Sequence, residues 1–390
     1  MIKEMLSHKV QQIAPSGIRR FFDIANQMEN VISLGVGEPD FATPWHIRDE
    51  AIYALEKKRT TYTANRGLLE LRQEISRYLD TRFSLQYNPE TQILVTVGGS
   101  EAIDLALRAI INPGDEVIIP EPTYVSYLPS VVMAGGTPVP VPTYESREFR
   151  LTAEDLVPYI NEKTKAVILC YPNNPTGAVM ERHDLEKIAQ VLRQHRILVI
   201  SDEIYSELVY GVEHTSMAAL PGMYDRTLVI NGFSKAFAMT GWRLGYAAGP
   251  EELVGAMTKI HQYTIMSAPT ISQYAAVEAL RNGMPDVQRM VAEYDQRRRV
   301  LVHGFRQMGL SCFEPRGAFY VFPRISDLGM TSEEFCTKLL MEEHVAVVPG
   351  TAFGESGEGF VRCSYAYSLE SLQEALRRIG RFVEKHSKEG

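Results

Sequence analysis

KAVILC (165–170), ILVIS (197–201) and TLVIN (227–231) are short apolar runs, rich in valine and isoleucine and free of polar alternation. A strand with one wet face alternates apolar and polar residues. An unbroken apolar run belongs to a strand covered on both faces, the situation in a parallel sheet flanked by helices. QILVTV (92–97), EVIIP (116–120), TPVPVP (137–142) and LGYAA (244–248) bring the series to seven, and helical patterns such as ERHDLEKIAQVLRQH (181–195) lie between them. This grammar predicts an α/β fold, with a mostly parallel seven-stranded sheet sandwiched by helices.

A large domain over residues 45–285 follows. Beyond it the helical pattern MPDVQRMVAEYDQRRRVLVHGFRQMG (284–309) leads into α+β texture: GAFYVFPR (317–324), EEFCTKLLMEEH (333–344), VAVVPG (345–350), GFVRCSY (359–365) and a last helix from about Leu369. Residues 1–44 and 286–390 are expected to form a smaller domain.

The 40 basic and 48 acidic residues leave a net charge of -8 without a basic block, which argues against nucleic acid and for small-molecule substrates. Cys170, Cys312, Cys336 and Cys363 include no close pair, so neither a zinc site nor a disulfide framework is expected. The first residues, MIKEMLSHKVQQIAPSG (1–17), lack the apolar core of a signal peptide, and no run is long enough for a membrane helix. A cytoplasmic protein is expected.

Four segments carry chemistry. In NGFSKAFAMTGWRLGY (231–246), Lys235 sits among Phe233, Ala236, Phe237, Ala238 and Met239. Burying a lone ammonium is costly, so such a lysine sheds its proton or forms a bond, and a neutral lysine can form a Schiff base with a carbonyl cofactor. A lysine snorkelling at a helix start is the bland alternative. In ILVISDEIY (197–205), Asp202 falls where open α/β sheets hold ligands, at a strand's carboxyl end; it could pair with a protonated ring nitrogen or equally serve as a helix cap. Tyr205 follows three residues later. CYPNNPTGAV (170–179) is a turn in which Pro175 restricts Asn174, leaving its amide free to face a ligand. VTVGGSEAIDLALRAII (95–111) reads as strand, glycine pair and helix, a phosphate-attracting geometry to which Gly99, Ser100 and Glu101 would lend amides and Arg243 a bidentate charge. The carboxylate of Glu101 must then point away, and a plain βα turn capped by Ser100 is compatible with the same pattern. A dinucleotide fingerprint at Gly35 and Gly37 fails, because Asp40 stands at the third glycine position and no helix follows before Pro44.

Together these segments resemble the class I/II aminotransferases, the aspartate aminotransferase fold of fold type I. The lysine motif matches at Gly232, Phe233, Ser234, Lys235, Ala238, Met239, Gly241, Arg243, Leu244 and Gly245. Further matches run from LGVGEPDF (34–41) through YTANRGLLELR (62–72), GGSEA (98–102), EPTY (121–124), NNPTG (173–177) and SDEIY (201–205) to FVRCSY (360–365). The resemblance implies that Lys235 holds pyridoxal 5'-phosphate and shuttles the substrate proton, while Asp202 pairs with the ring nitrogen. It implies that Tyr205 and Asn174 bond the phenolic oxygen and Tyr124 stacks on the ring. Ser100, Ser234, Arg243 and the amides of Gly99 and Glu101 would bind the phosphate, with Tyr62 reaching it from the partner of a homodimer. Arg362, assisted by Gly37 and Asn174, would clamp the substrate α-carboxylate.

The dicarboxylate-specific branch carries an arginine on the segment matching HQYTIMSAPTISQ (261–273). Here no arginine or lysine lies between Lys259 and Arg281, and Tyr263 occupies the stretch. The resemblance therefore favours an aromatic amino donor with 2-oxoglutarate as acceptor, with aspartate or N-acetyl-diaminopimelate aminotransferase as the alternative and a β-lyase on the same fold behind them. A regulator built on such a domain would need a DNA-binding module, for which residues 1–45 are too short and insufficiently basic.

Overall fold

The computed structural model describes residues 2–13 and 28–387. Seven strands form one sheet in the spatial order Ile93–Thr96, Gly245–Ala248, Thr227–Gly232, Leu198–Asp202, Thr164–Cys170, Glu116–Glu121, Thr137–Pro142. All seven expected runs are present. Gly245–Ala248 alone runs antiparallel to its neighbours in this sheet. Thr137–Pro142 is an edge strand, and its prolines at 138, 140 and 142 fall on every second residue. One edge faces no partner there, so the missing N–H groups cost the ladder nothing.

The unbroken apolar runs have the expected cause. Val167, Leu169 and Val199 pack on one side against Leu185, Ile188, Ala189 and Leu192 of the Arg182–Leu192 helix. Ala166, Ile168 and Ile200 face the other side and meet Ala102, Ile103 and Ala106 of the Gly98–Ile110 helix. Arg182–Leu192 starts one residue later than its pattern, because Glu181 is the N-cap, in a reciprocal box with Asp184.

Two smaller sheets lie beyond. Ile32–Ser33 pairs in parallel with Val345–Ala346, and Val348–Pro349, Val361–Ser364 and Tyr320–Val321 form an antiparallel trio. The helices Met284–Gln307, Ser332–Glu343 and Leu369–His386 pack with these strands. The pairing of residues 32–33 with 345–346 joins the two chain ends that the sequence assigns to one smaller domain, although residues 14–27 of that assignment lie outside the described residues. Among the described residues no helix is long and apolar enough to cross a membrane.

Candidate active site

The strands ending at Cys170, Asp202 and Gly232 deliver their following loops to one end of the sheet, and the Ile93–Thr96 strand opens there into the Gly98–Ile110 helix. A cavity of about 660 Å³ lies at that end, closed from the other side by Gly35–Glu38, Tyr320 and Arg362. Its size suits a cofactor-sized ligand. Gly37, Gly99, Ser100, Tyr124, Asn174, Asp202, Tyr205, Ser234, Lys235, Arg243 and Arg362 all line it. Glu101 and Tyr62 do not.

Asp202 is the last residue of its strand and is buried. No helix begins after it. Its Oδ1 accepts the Ile204 amide at 3.2 Å, and its Oδ2 accepts the Tyr127 hydroxyl at 2.6 Å. Burial raises its pKa to about 6, against the opposing effects of those two bonds and of Lys235. Burial likewise lowers Lys235 to about 8, helped by the like charges of Arg362 and Arg243. Lys235 Nζ donates to the Gly37 carbonyl at 2.6 Å and stands 5.8 Å from the Tyr205 ring. A buried acid and a partly buried base, each pushed toward neutrality, thus share one chamber.

Arg362 is 4% exposed and lies between two rings, with its guanidinium carbon 4.5 Å from the centre of Tyr320 and 4.7 Å from that of Phe353. Nη1 donates to Asn174 Oδ1 at 2.9 Å and Nη2 to the Gly35 carbonyl at 2.5 Å. Its Nε is buried without a hydrogen-bond partner. A buried donor so left calls for an acceptor, and a carboxylate is the natural one.

At the opposite end the glycine turn does what its sequence indicates. Gly98 has φ +75°, a backbone that favours glycine, and its missing side chain leaves the room in which Arg243 Nη2 approaches the helix start. The helix begins at Gly98, and Ser100 lies in its first turn rather than capping it. Glu101 turns its carboxylate away from the cavity, where Oε2 accepts the Val97 amide at 2.5 Å and Oε1 meets His261 Nδ1 at 2.7 Å. Arg243 is exposed, in left-handed backbone, and donates to the Thr240 carbonyl at 3.0 Å.

Tyr62 and Tyr263 stand apart, 80% and 85% exposed. Two residues that the sequence reading left out belong to the chamber. Tyr127 holds Asp202, and Tyr320 hydrogen-bonds Tyr205 through their hydroxyls at 2.9 Å. Tyr127 lies three positions past the tyrosine of EPTY, which is a signal; Tyr320, in a strand-like aromatic run, reads only as packing.

Residues 29–379 match the family described as Aminotransferase class I and II. The chain is 57% identical over 380 residues to YugH of Bacillus subtilis (strain 168), provisionally named an aminotransferase, covering 97% of this chain and 98% of that one. It is 48% identical to an aspartate aminotransferase of Pyrococcus abyssi, covering 96% and 97%. The crystal structure of an aromatic aminotransferase from Pyrococcus horikoshii OT3 superposes with a TM-score of 0.90 at 47% identity, covering 94% of this chain and 99% of that one. Matched from Glu29 to Ile379 and almost end to end by these relatives, the chain belongs to the class I and II aminotransferases.

Proposed function

We propose that this aminotransferase works with pyridoxal 5'-phosphate in the cavity around Lys235, moving the amino group of an aromatic L-amino acid to 2-oxoglutarate. The observation that carries the reading is the gathering of partly buried Lys235 with buried Asp202 and Arg362 around one chamber, where the Arg362 Nε has no partner. The residues fit the group. Asp202, short of a positive partner, suits a protonated ring nitrogen. The Gly99 and Glu101 amides, Ser100, Ser234 and Arg243 suit a phosphate, and Tyr124, Tyr205 and Asn174 suit the ring and its phenolic oxygen.

When bound, the cofactor supplies an electron sink for the charge left at the substrate Cα. The chain's residues do the rest. Arg362, with Asn174 and Gly37, would fix the α-carboxylate and so orient the Cα–H bond. Lys235 Nζ, whose hold on its proton burial weakens, would take the Cα proton and return it, one amine acting as base and then as acid. Tyr127 would hold Asp202 in place while its carboxylate keeps the ring nitrogen protonated. Two such half-reactions give ping-pong kinetics.

The aromatic preference rests on the absence of arginine and lysine between Lys259 and Arg281, on Tyr263 and on the aromatic name of the Pyrococcus horikoshii protein. The name of the Pyrococcus abyssi relative favours aspartate as the second reading. The exposed Tyr62 and Tyr263 support a homodimer in which Tyr62 completes the neighbouring phosphate site. A panel of amino donors against oxo acids, with products identified, tests all of this. Phenylalanine or tyrosine should exceed alanine and lysine in kcat/KM. Preference for aspartate would install the second reading, and release of ammonia without amino transfer would mark a lyase.

A further inference from the structure

Tyr320 comes from the Tyr320–Val321 strand, far in sequence from Lys235, and is completely buried. Its neighbour in the small sheet is the Arg362 strand, with Ser364 opposite Tyr320. The ring lies beneath the Arg362 guanidinium, while the hydroxyl reaches past it to Tyr205 at 2.9 Å. That reach depends on Gly37, because a Cβ there would sit 2.5 Å from Tyr320 Oη. The residue therefore touches both the arginine proposed for the carboxylate and the phenol proposed for the cofactor.

The two hydroxyls hold two protons and share one hydrogen bond. Burial keeps both phenols above the ordinary tyrosine range, so both stay protonated, with Arg362 over one ring and Lys235 near the other as the charges that face them. Two arrangements are open to the pair. If Tyr205 donates to Tyr320, the Tyr205 proton is spent. If Tyr320 donates, the Tyr205 proton is free for an acceptor in the cavity, and its O–H is polarised by the bond it accepts.

We infer that Tyr320 is a positioning residue, whose hydroxyl donates to Tyr205 and so commits the Tyr205 proton to the oxygen of the bound cofactor. This rests on the cofactor reading above. The consequence is electronic rather than steric. A stronger bond from Tyr205 stabilises negative charge on the cofactor's phenolic oxygen and lowers the pKa of the lysine-linked chromophore.

The experiment is a spectrophotometric pH titration of the holoenzyme loaded with pyridoxal 5'-phosphate, on wild type, Tyr320→Phe, Tyr205→Phe and the double variant. Tyr320→Phe keeps the ring under Arg362 and removes only the hydroxyl. Its chromophore pKa should rise by about half a unit, and that of Tyr205→Phe by about one unit or more. The double variant should titrate like Tyr205→Phe, since the effect passes through that hydroxyl. The amino-acid KM of Tyr320→Phe should stay within about twofold of wild type, whereas general loosening of the site would raise KM and cofactor dissociation together. A wild-type titration from Tyr320→Phe, or its full shift added on top of Tyr205→Phe, overturns the inference alone. Absence of any Lys235-dependent chromophore in the wild type overturns the cofactor reading with it.

Discussion

The two arginines at the ends of the cavity are built in opposite ways. Arg362 is 4% exposed, clasped between two rings and hydrogen-bonded to Asn174 and Gly35. Arg243 is exposed and leans on the start of the Gly98–Ile110 helix through the space that Gly98 leaves. A buried cation acts at close to full strength and in one geometry. An exposed one is screened by water and salt and shares its load with backbone amides. The first design suits the carboxylate common to every substrate, the second an anion that several weaker groups can hold together.

The largest effect should come from the residue between the two ends. Lys235→Ala should lower kcat by at least about 10³-fold, the scale of a positioned acid–base group, at every salt concentration. Measurable cofactor should remain bound without its covalent link, as absorbance after gel filtration will show. Near-normal turnover would end the assignment. Asp202→Ala should cost on the order of 10²–10³-fold in the proton-transfer step while attachment to Lys235 persists; unchanged single-turnover rates would reduce Asp202 to a structural residue.

The contrast between the ends is then open to direct test. Arg362→Leu should reduce kcat/KM about 100-fold for all α-amino acids alike, since it deletes a charged contact to a shared group, and added salt should change that ratio little. Arg243→Leu should weaken cofactor affinity only about tenfold, and high salt should weaken the wild type toward it. Equal salt sensitivity in the two variants would break the comparison.

Lys235, lowered to about 8, carries a proton below that pH and loses it above. Cofactor-free protein should therefore react with pyridoxal 5'-phosphate faster as pH rises, about tenfold per unit below 8, and level off beyond it. A flat profile in the wild type would place the lysine's proton elsewhere. The smallest signal is the hybrid dimer of Lys235→Ala with Tyr62→Ala. If Tyr62 acts across the interface, one of its two sites is intact and activity returns on co-expression to about half that of wild type. Activity no higher than the mean of two impaired parents would confine Tyr62 to its own subunit.

Much of this molecule was legible before any fold was seen. The seven strands announced themselves because burial on both faces leaves no polar alternation, and the Gly98–Gly99 pair marked a strand-to-helix turn, where Gly98 takes a positive φ. Lys235, Asp202 and Asn174 stood out as candidates because each follows an apolar run, although Asp202 read equally as a helix cap and Asn174 first as part of a turn. Arg362 did not stand out. In the sequence it is one charge in a strand-like run, and only the resemblance gave it a role. The two rings that clasp it lie 9 and 42 residues away, and its partner Asn174 lies 188 residues away.

What the chain determined alone was periodicity, turn chemistry and the kinds of reactive group, because these act between residues a few positions apart. What tertiary structure decided was which groups share a chamber. Tyr127 meets Asp202 across 75 positions, once its helix packs on the large sheet, and Tyr205 meets Tyr320 across 115, once the small antiparallel trio packs there too. The burial that shifts Lys235 and Asp202 toward each other's proton is likewise a property of the packed chamber, since desolvation depends on everything around a group and on nothing in its local sequence alone.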